Sequence, residues 1–309
     1  MASSEPALWA LDFDGVLCDS VAELAEAALR TAEGLWPDEF GAPEAKAARP
    51  DILEGLYKVR PVMETGYEFV LQARLLLQGV APSEILAGWR EMLPATMARW
   101  GLERSTLVSA LATTRDEWIE RDPRGWAASN RLYPPMGAAM GVLAACKLAY
   151  VVTTKQARYA RLILEDLAGV TLGEDRVVSV EATGRPKGEV LEALAAEHPR
   201  AAAYHFVEDR LDALTLASQR PGLDGWDFVL VDWGYNTPEQ RAHARADPKL
   251  RVVNRRELVR EFTAVEGDPD APDAERDADA LWTKLSQGGE LEGSEVGEAN
   301  RDELQQSAA

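Results

Sequence analysis

Apolar positions along the second half of the chain alternate between two periodicities. From Leu132 onward, short β-type runs are each followed by a stretch with helical spacing. "LAYVVTT" leads into "KQARYARLILEDLAG", which ends at Gly169, and "RVVSVEA" leads through "TGRPK" into "GEVLEALAAEH". "AYHFVED" precedes "RLDALTLASQ", "WDFVLVDWG" precedes "TPEQRAHARAD", and "LRVVN" closes the series. Thr237 is placed as an N-cap with Pro238 at the first helical position. Strands that are apolar on both faces and alternate with helices predict an α/β fold built on a doubly wound parallel sheet.

One more strand-like run, Leu8 to Leu11, belongs with this sheet but is separated from it by the long stretch up to residue 131. That stretch reads as helix: Val21, Leu24, Ala25, Ala28 and Leu29 repeat at helical spacing, as do Leu107, Ala110, Leu111 and Trp118. Ser20 with Glu23 spells a capping box. Pro94 predicts a break or kink, and "YPP" at Tyr133 to Pro135 marks the return to the sheet. Residues 1–19 and 132–264 are therefore expected to form the core and residues 20–131 an inserted all-helical domain. The tryptophans at 89, 100, 118 and 126 are expected to be buried in that helix bundle. There is no internal repeat.

Composition narrows the function classes. The chain has 309 residues, 46% of them hydrophobic, enough for one large and one smaller domain. Its net charge is −19, and from Val265 to the end there are 13 acidic residues against three basic ones. Such a surface repels phosphate backbones and anionic lipids, so neither nucleic acid nor a membrane is an expected partner. The final stretch, 265–309, is acidic and rich in Gly, Pro and Ser, which predicts a disordered, solvating tail; "ALWTKL" within it is a candidate docking segment. Two cysteines, Cys18 and Cys146, fit a reducing compartment and no disulfide framework. Strand-like sequence begins by Leu8, so "MASSEP" is too short for a targeting signal. The expected location is the cytoplasm, or an organelle if a presequence precedes this sequence.

The candidate chemistry collects at strand ends. In open α/β sheets ligands bind beyond the carboxyl ends of the strands, and Asp12 and Asp14 stand at one such end. Two carboxylates held together repel, so the pair calls for a cation or a shared proton; Gly15 permits the sharp turn that follows. "VVTTK" presents Thr153 and Thr154 as donors at a helix N-terminus, with Thr154 alternatively a plain N-cap. Lys187 in "TGRPKGEV" is a fixed positive charge or a solvated lysine. Glu208 and Asp209 end a further strand, with Asp212 one helical turn on; acids at two strand ends of one sheet are what a magnesium site requires. In "VRPVMETGYE", Arg60, Glu64, Thr65 and Gly66 read either as a specificity loop or as an ordinary helix start with Arg60 on the surface. His198, His205 and His243 lack metal-ligand spacing, and Cys18 reads as a packing residue.

The order DxDGV, a strand ending in Thr, a Lys, then a strand ending in acids resembles the haloacid dehalogenase-like (HAD) hydrolase superfamily. "LDFDGVLCDS" is similar to its first motif over ten residues, and "VDWGYN" to the strand and loop that follow its fourth. The long helical insertion resembles the cap of the phosphoglycolate phosphatase-like branch, and "FVEDR" with "DWGYN" looks like a plant and algal group. The resemblance covers the sheet domain and implies a HAD-like Rossmannoid core.

The resemblance further implies Asp12 as a nucleophile forming an aspartyl-phosphate and Asp14 as general acid and base. It implies Thr153 and Lys187 as phosphoryl-binding groups; Thr154 and Arg60 are further candidate substrate or phosphate contacts from the residue pattern. Mg2+ would be held by Asp12, the Asp14 carbonyl and an acid of the fourth motif. Asp209 is preferred as that acid, with Glu208 and Asp212 as orienting groups, although pairing Glu208 with Asp212 keeps the usual four-residue interval. Asp14 also favours phosphate esters over halides, since a halide needs no proton to leave. The implied substrate is a small phosphorylated metabolite. The altered fourth motif leaves a second reading, a weakly active relative that serves as a ligand- or protein-binding module.

Overall fold

The computed structural model describes residues 6–145 and 148–263. Cys146, the leader and the acidic stretch from 265 lie outside those residues, and with them the expectations of a disordered tail and of a docking segment.

The α/β expectation holds. The core is a six-stranded parallel sheet of β1 (Leu8–Leu11), β4 (Ala149–Thr153), β5 (Val177–Ser179), β6 (Tyr204–Glu208), β7 (Trp226–Val231) and β8 (Leu250–Val253). Its order is β5-β4-β1-β6-β7-β8. Alternation along β1 shows why both faces are apolar: Leu8 and Ala10 pack on one side of the sheet, Trp9 and Leu11 on the other. Helices α8 (Met136–Ala145), α9 (Ala157–Ala168), α10 (Val180–Thr183), α11 (Lys187–Glu197), α12 (Leu211–Ser218), α13 (Pro238–Ala246) and α14 (Arg255–Thr263) complete the core. Thr237 and Gln240 form the capping box that opens α13, and Gly169 ends α9 with φ +63. "RVVSVEA" is strand only as far as Ser179, whose hydroxyl accepts from the Ala182 amide and turns the chain into α10.

Between β1 and β4 stand α1 (Val21–Leu35), α2 (Pro37–Phe40), α3 (Pro43–Val59), α4 (Glu68–Leu77), α5 (Pro82–Trp100), α6 (Arg104–Arg121) and α7 (Pro123–Ala128). The two crossings into and out of these helices pair as a short antiparallel ribbon, β2 (Cys18–Asp19) with β3 (Arg131–Leu132). Trp89, Trp118 and Trp126 are buried and Trp100 is half-buried. Pro94 does not break its helix, because α5 runs through it from Pro82 to Trp100. Losing one amide donor in a helix of that length leaves the bonds on either side intact.

The Ser20–Glu23 capping box is not formed: Ser20 precedes α1 without a side-chain cap. The Ser20 hydroxyl donates instead to Asp14. Glu23, fully buried, accepts a two-pronged bond from Arg115 (2.7 and 2.8 Å) and a third from the Trp126 indole (3.1 Å). Burial would raise the Glu23 carboxyl, but Arg115 and Lys155 overcome it and hold the group below its ordinary range. Lys155 Nζ lies 3.7 Å from Glu23 and 3.3 Å from Asp14, tying the inserted helices to the core. Glu23→Gln keeps the shape and removes the charge facing two buried cations. It is expected to destabilise the protein by about 1–3 kcal/mol in denaturant unfolding; an unchanged midpoint would contradict this account of the junction.

Candidate active site

The chain passes from β1 to β4 and β5 on one side of the sheet and then crosses to β6 on the other. That reversal opens a crevice at the carboxyl ends of β1 and β6. Asp12 follows β1, and its backbone amide is bonded to the Val207 carbonyl of β6 at 2.9 Å. Glu208 ends β6 and Asp209 follows it. Asp12, Glu208 and Asp209 are all buried, each offering a carboxylate oxygen within 4.8 Å of the others.

Lys187, the first residue of α11, faces this trio. Its Nζ stands 3.0 Å from Asp12 Oδ1 and donates to Glu208 Oε1 at 2.7 Å. Burial, reinforced by Glu208 and Asp14 and opposed by Lys187, raises the Asp12 carboxyl to about 7. Glu208 is raised by burial and Asp209, Asp209 by burial and Asp12. Both Glu208 oxygens are engaged, since Oε2 accepts from the amides of Asp209 (2.7 Å) and Arg210 (3.2 Å). Asp212 is exposed on α12 and takes no part in the cluster, contrary to the expected orienting role. The helix is phased by Leu211 and Leu214, which are buried and turn Asp212 outward.

Asp14 occupies a different environment. Burial would raise its carboxyl, but Lys155, the Ser20 hydroxyl, Arg60 and Arg115 together hold it below the ordinary range. Thr153 is fully buried, and its hydroxyl accepts from the Lys155 amide at 3.1 Å. Thr154 caps nothing, because α9 begins only at Ala157 with Gln156 before it. Thr153 therefore ends β4 and Thr154 sits in the strand-to-helix turn, neither of them at a helix N-terminus. Arg60 is buried, not on the surface: its guanidinium lies 3.8 Å from the Tyr235 ring centre and donates to the Met63 carbonyl at 3.3 Å. Arg60 Nε has no hydrogen-bond partner among the described residues.

The "DWGYN" loop locks the floor of the site. The Tyr235 amide donates to Asp209 Oδ2 at 2.7 Å, and the Asn236 side chain donates to the Asp209 carbonyl at 2.8 Å. Two glycines make room: Gly15, with φ +86, would place a Cβ 2.1 Å from Asp209 Oδ2, and Gly234 would place one 2.3 Å from Asp209 Cβ. The sequence pattern assigns no role to Lys155, Arg115, Tyr235 or Asn236, and gives Glu23 only a place in a capping box. Lys155 is visible in "VVTTK", but its partners, Asp14 after β1 and Glu23 on α1, come from distant segments.

Three buried carboxylates facing one ammonium leave uncompensated negative charge, and an all-oxygen donor set of this kind suits a hard divalent cation. The raised Asp12 carboxyl gives a pH signature. The folded protein without metal holds a proton there that the unfolded chain has lost, so this contribution to stability is fullest below about pH 4 and is lost as pH rises through 7. Magnesium is expected to raise Tm more at pH 8 than at pH 5, because at low pH it competes with protons. Equal increments at both pH values would contradict binding at Asp12.

No protein-family model matches the chain, and no curated protein matches it. Among solved structures, a predicted phosphatase from Clostridium acetobutylicum aligns with TM-score 0.49 and 15% identity over 84% of this chain and 99% of its own. A haloacid dehalogenase-like family hydrolase from Streptococcus pneumoniae gives 0.49 and 16% over 83% and 98%. Protein Tyrosine Kinase A of Mycobacterium tuberculosis gives 0.47 and 18% over 85% and 100%. These scores lend no weight to the chemistry, which rests on the side chains described above.

Proposed function

We propose that this chain is a magnesium-dependent phosphatase that hydrolyses a small phosphorylated metabolite through an aspartyl-phosphate on Asp12. The observation that supports this reading is the pairing, at the sheet's reversal point, of a buried acidic trio with Lys187 in direct contact with Asp12. Asp12 and Asp209 would hold the ion, with Glu208 committed to Lys187 and to backbone amides. Bound there, it would neutralise the repulsion between the Asp12 carboxylate and an approaching phosphate.

In the first step an Asp12 oxygen forms a bond to phosphorus while the ester P–O bond breaks. The leaving oxygen takes its proton through Asp14. Because Lys155 and Ser20 keep Asp14 ionised at rest, that proton enters with the substrate monoanion, whose second pKa is about 6. In the second step water attacks the phosphoryl group, Asp14 accepts its proton, and Asp12 is released. Lys187 and the Thr153 hydroxyl stabilise the phosphoryl oxygens throughout. The test is phosphate release across a panel of phosphorylated metabolites with and without magnesium. Release that requires magnesium supports the reading, and no release from a folded protein contradicts it.

A further inference from the structure

The reacting groups make up only part of the lining of their cleft. The cleft has a volume of about 400 Å³, a size that takes a whole organic ligand rather than a bare phosphate. Asp12, Asp14 and Lys187 line it, as do Arg60, Glu64 and Thr154, and the core adds an apolar wall. Ala213, Leu216 and Ala217 come from α12, Val180 from α10, and Pro186 from the residue before α11. On α12, positions 213, 216 and 217 are three and four residues apart and share one face, Arg220 follows just beyond the helix, and Leu211 and Leu214 fill the core. Leu216 is 69% exposed, the most exposed large apolar side chain among the described residues.

A single exposed leucine needs no explanation. This one shares the wall of a cleft with four other apolar residues, and the cleft is continuous with a cation placed to meet phosphate. Two of the arginines that line the cleft are already committed. Arg220 is bonded to both Glu192 oxygens (2.8 and 2.7 Å), and Arg210 donates to the Met63 carbonyl at 2.8 Å. The cleft therefore combines anion recognition at Lys187 with apolar contact along the core-side wall.

We infer that the alcohol portion of the substrate is apolar: a phosphomonoester carrying an alkyl chain or an aromatic ring that lies along α12, its phosphate at Lys187. This rests on the phosphatase reading for the position of the phosphate. The test is calorimetric binding of non-hydrolysable phosphonates to the magnesium-loaded full chain: methyl-, butyl-, hexyl- and phenylphosphonate, with wild type and Leu216→Asp. Affinity is expected to rise about threefold per added methylene until the wall is covered, and the variant is expected to flatten that dependence. The phenyl arm separates a ring-shaped occupant from a chain. Equal affinity across the series in wild type, which involves no substitution, overturns the proposal. So does a change of oligomeric state in Leu216→Asp with the series unaltered, since a second copy would then cover Leu216. Phosphate release from the matching phosphomonoesters is followed in parallel. Rising affinity without release retains the groove and sinks the phosphatase; release without chain dependence does the reverse.

Discussion

Asp12→Asn is expected to lower turnover by about 10⁴-fold or more while the folded protein keeps or gains stability. The loss follows from removing the nucleophile, and residual rate would come only from binding and electrostatic positioning. The stability follows from burial. Asp12 is enclosed with Glu208 and Asp14 near it, and its carboxyl is pushed up to about 7. A neutral amide of the same shape removes a charge that burial and those neighbours disfavour. Phosphate release and thermal unfolding, measured on one preparation, check both halves. Wild-type turnover in the variant would remove Asp12 from the chemistry. A collapse in Tm would show that the Asp12–Lys187 contact at 3.0 Å outweighs the crowding of carboxylates.

Lys187→Met carries the opposite expectation for stability. Its ammonium lies against Asp12 and Glu208, and those two carboxylates hold its pKa above the ordinary lysine range despite burial. Removing one partner of a buried ion pair leaves the other charge uncompensated, at a cost of about 3–5 kcal/mol. Here two acids lose their partner together. The variant without metal is expected to lose that much at pH 8 and less at pH 5, where Asp12 and Glu208 can take up protons. Turnover is expected to fall by about 10²- to 10³-fold, the usual effect of losing a charge-stabilising donor. Urea unfolding at the two pH values, with magnesium absent and then present, reads this directly. A loss independent of pH would mean that Lys187 acts by packing alone.

The strand ends were legible because their signals are local. Two-sided apolar runs located the sheet, and the acids and the lysine at their carboxyl ends are the groups that meet in the crevice. The junction with the helical insertion was not legible. Ser20 and Glu23 have the spacing of a capping box, and the sequence holds nothing to say that Arg115, 92 residues away, would claim Glu23 instead. Lys155 and Arg60 were equally opaque. Each is buried by elements from remote segments, and a lysine or arginine next to a turn looks the same in sequence whether it is solvated or enclosed. Asp212 erred in the other direction. Its place one turn after the acids suggested a role, but the phase of α12 was fixed by Leu211 and Leu214.

The binding-module reading and the enzyme reading share this pocket and part only at the covalent step. Acid quench of the full chain during turnover of a radiolabelled phosphomonoester, followed by peptide mapping, tests that step. The account predicts magnesium-dependent label on the peptide containing Asp12, released by hydroxylamine as an acyl phosphate and absent from Asp12→Asn. Turnover without trapped label, or label on another residue, would contradict it.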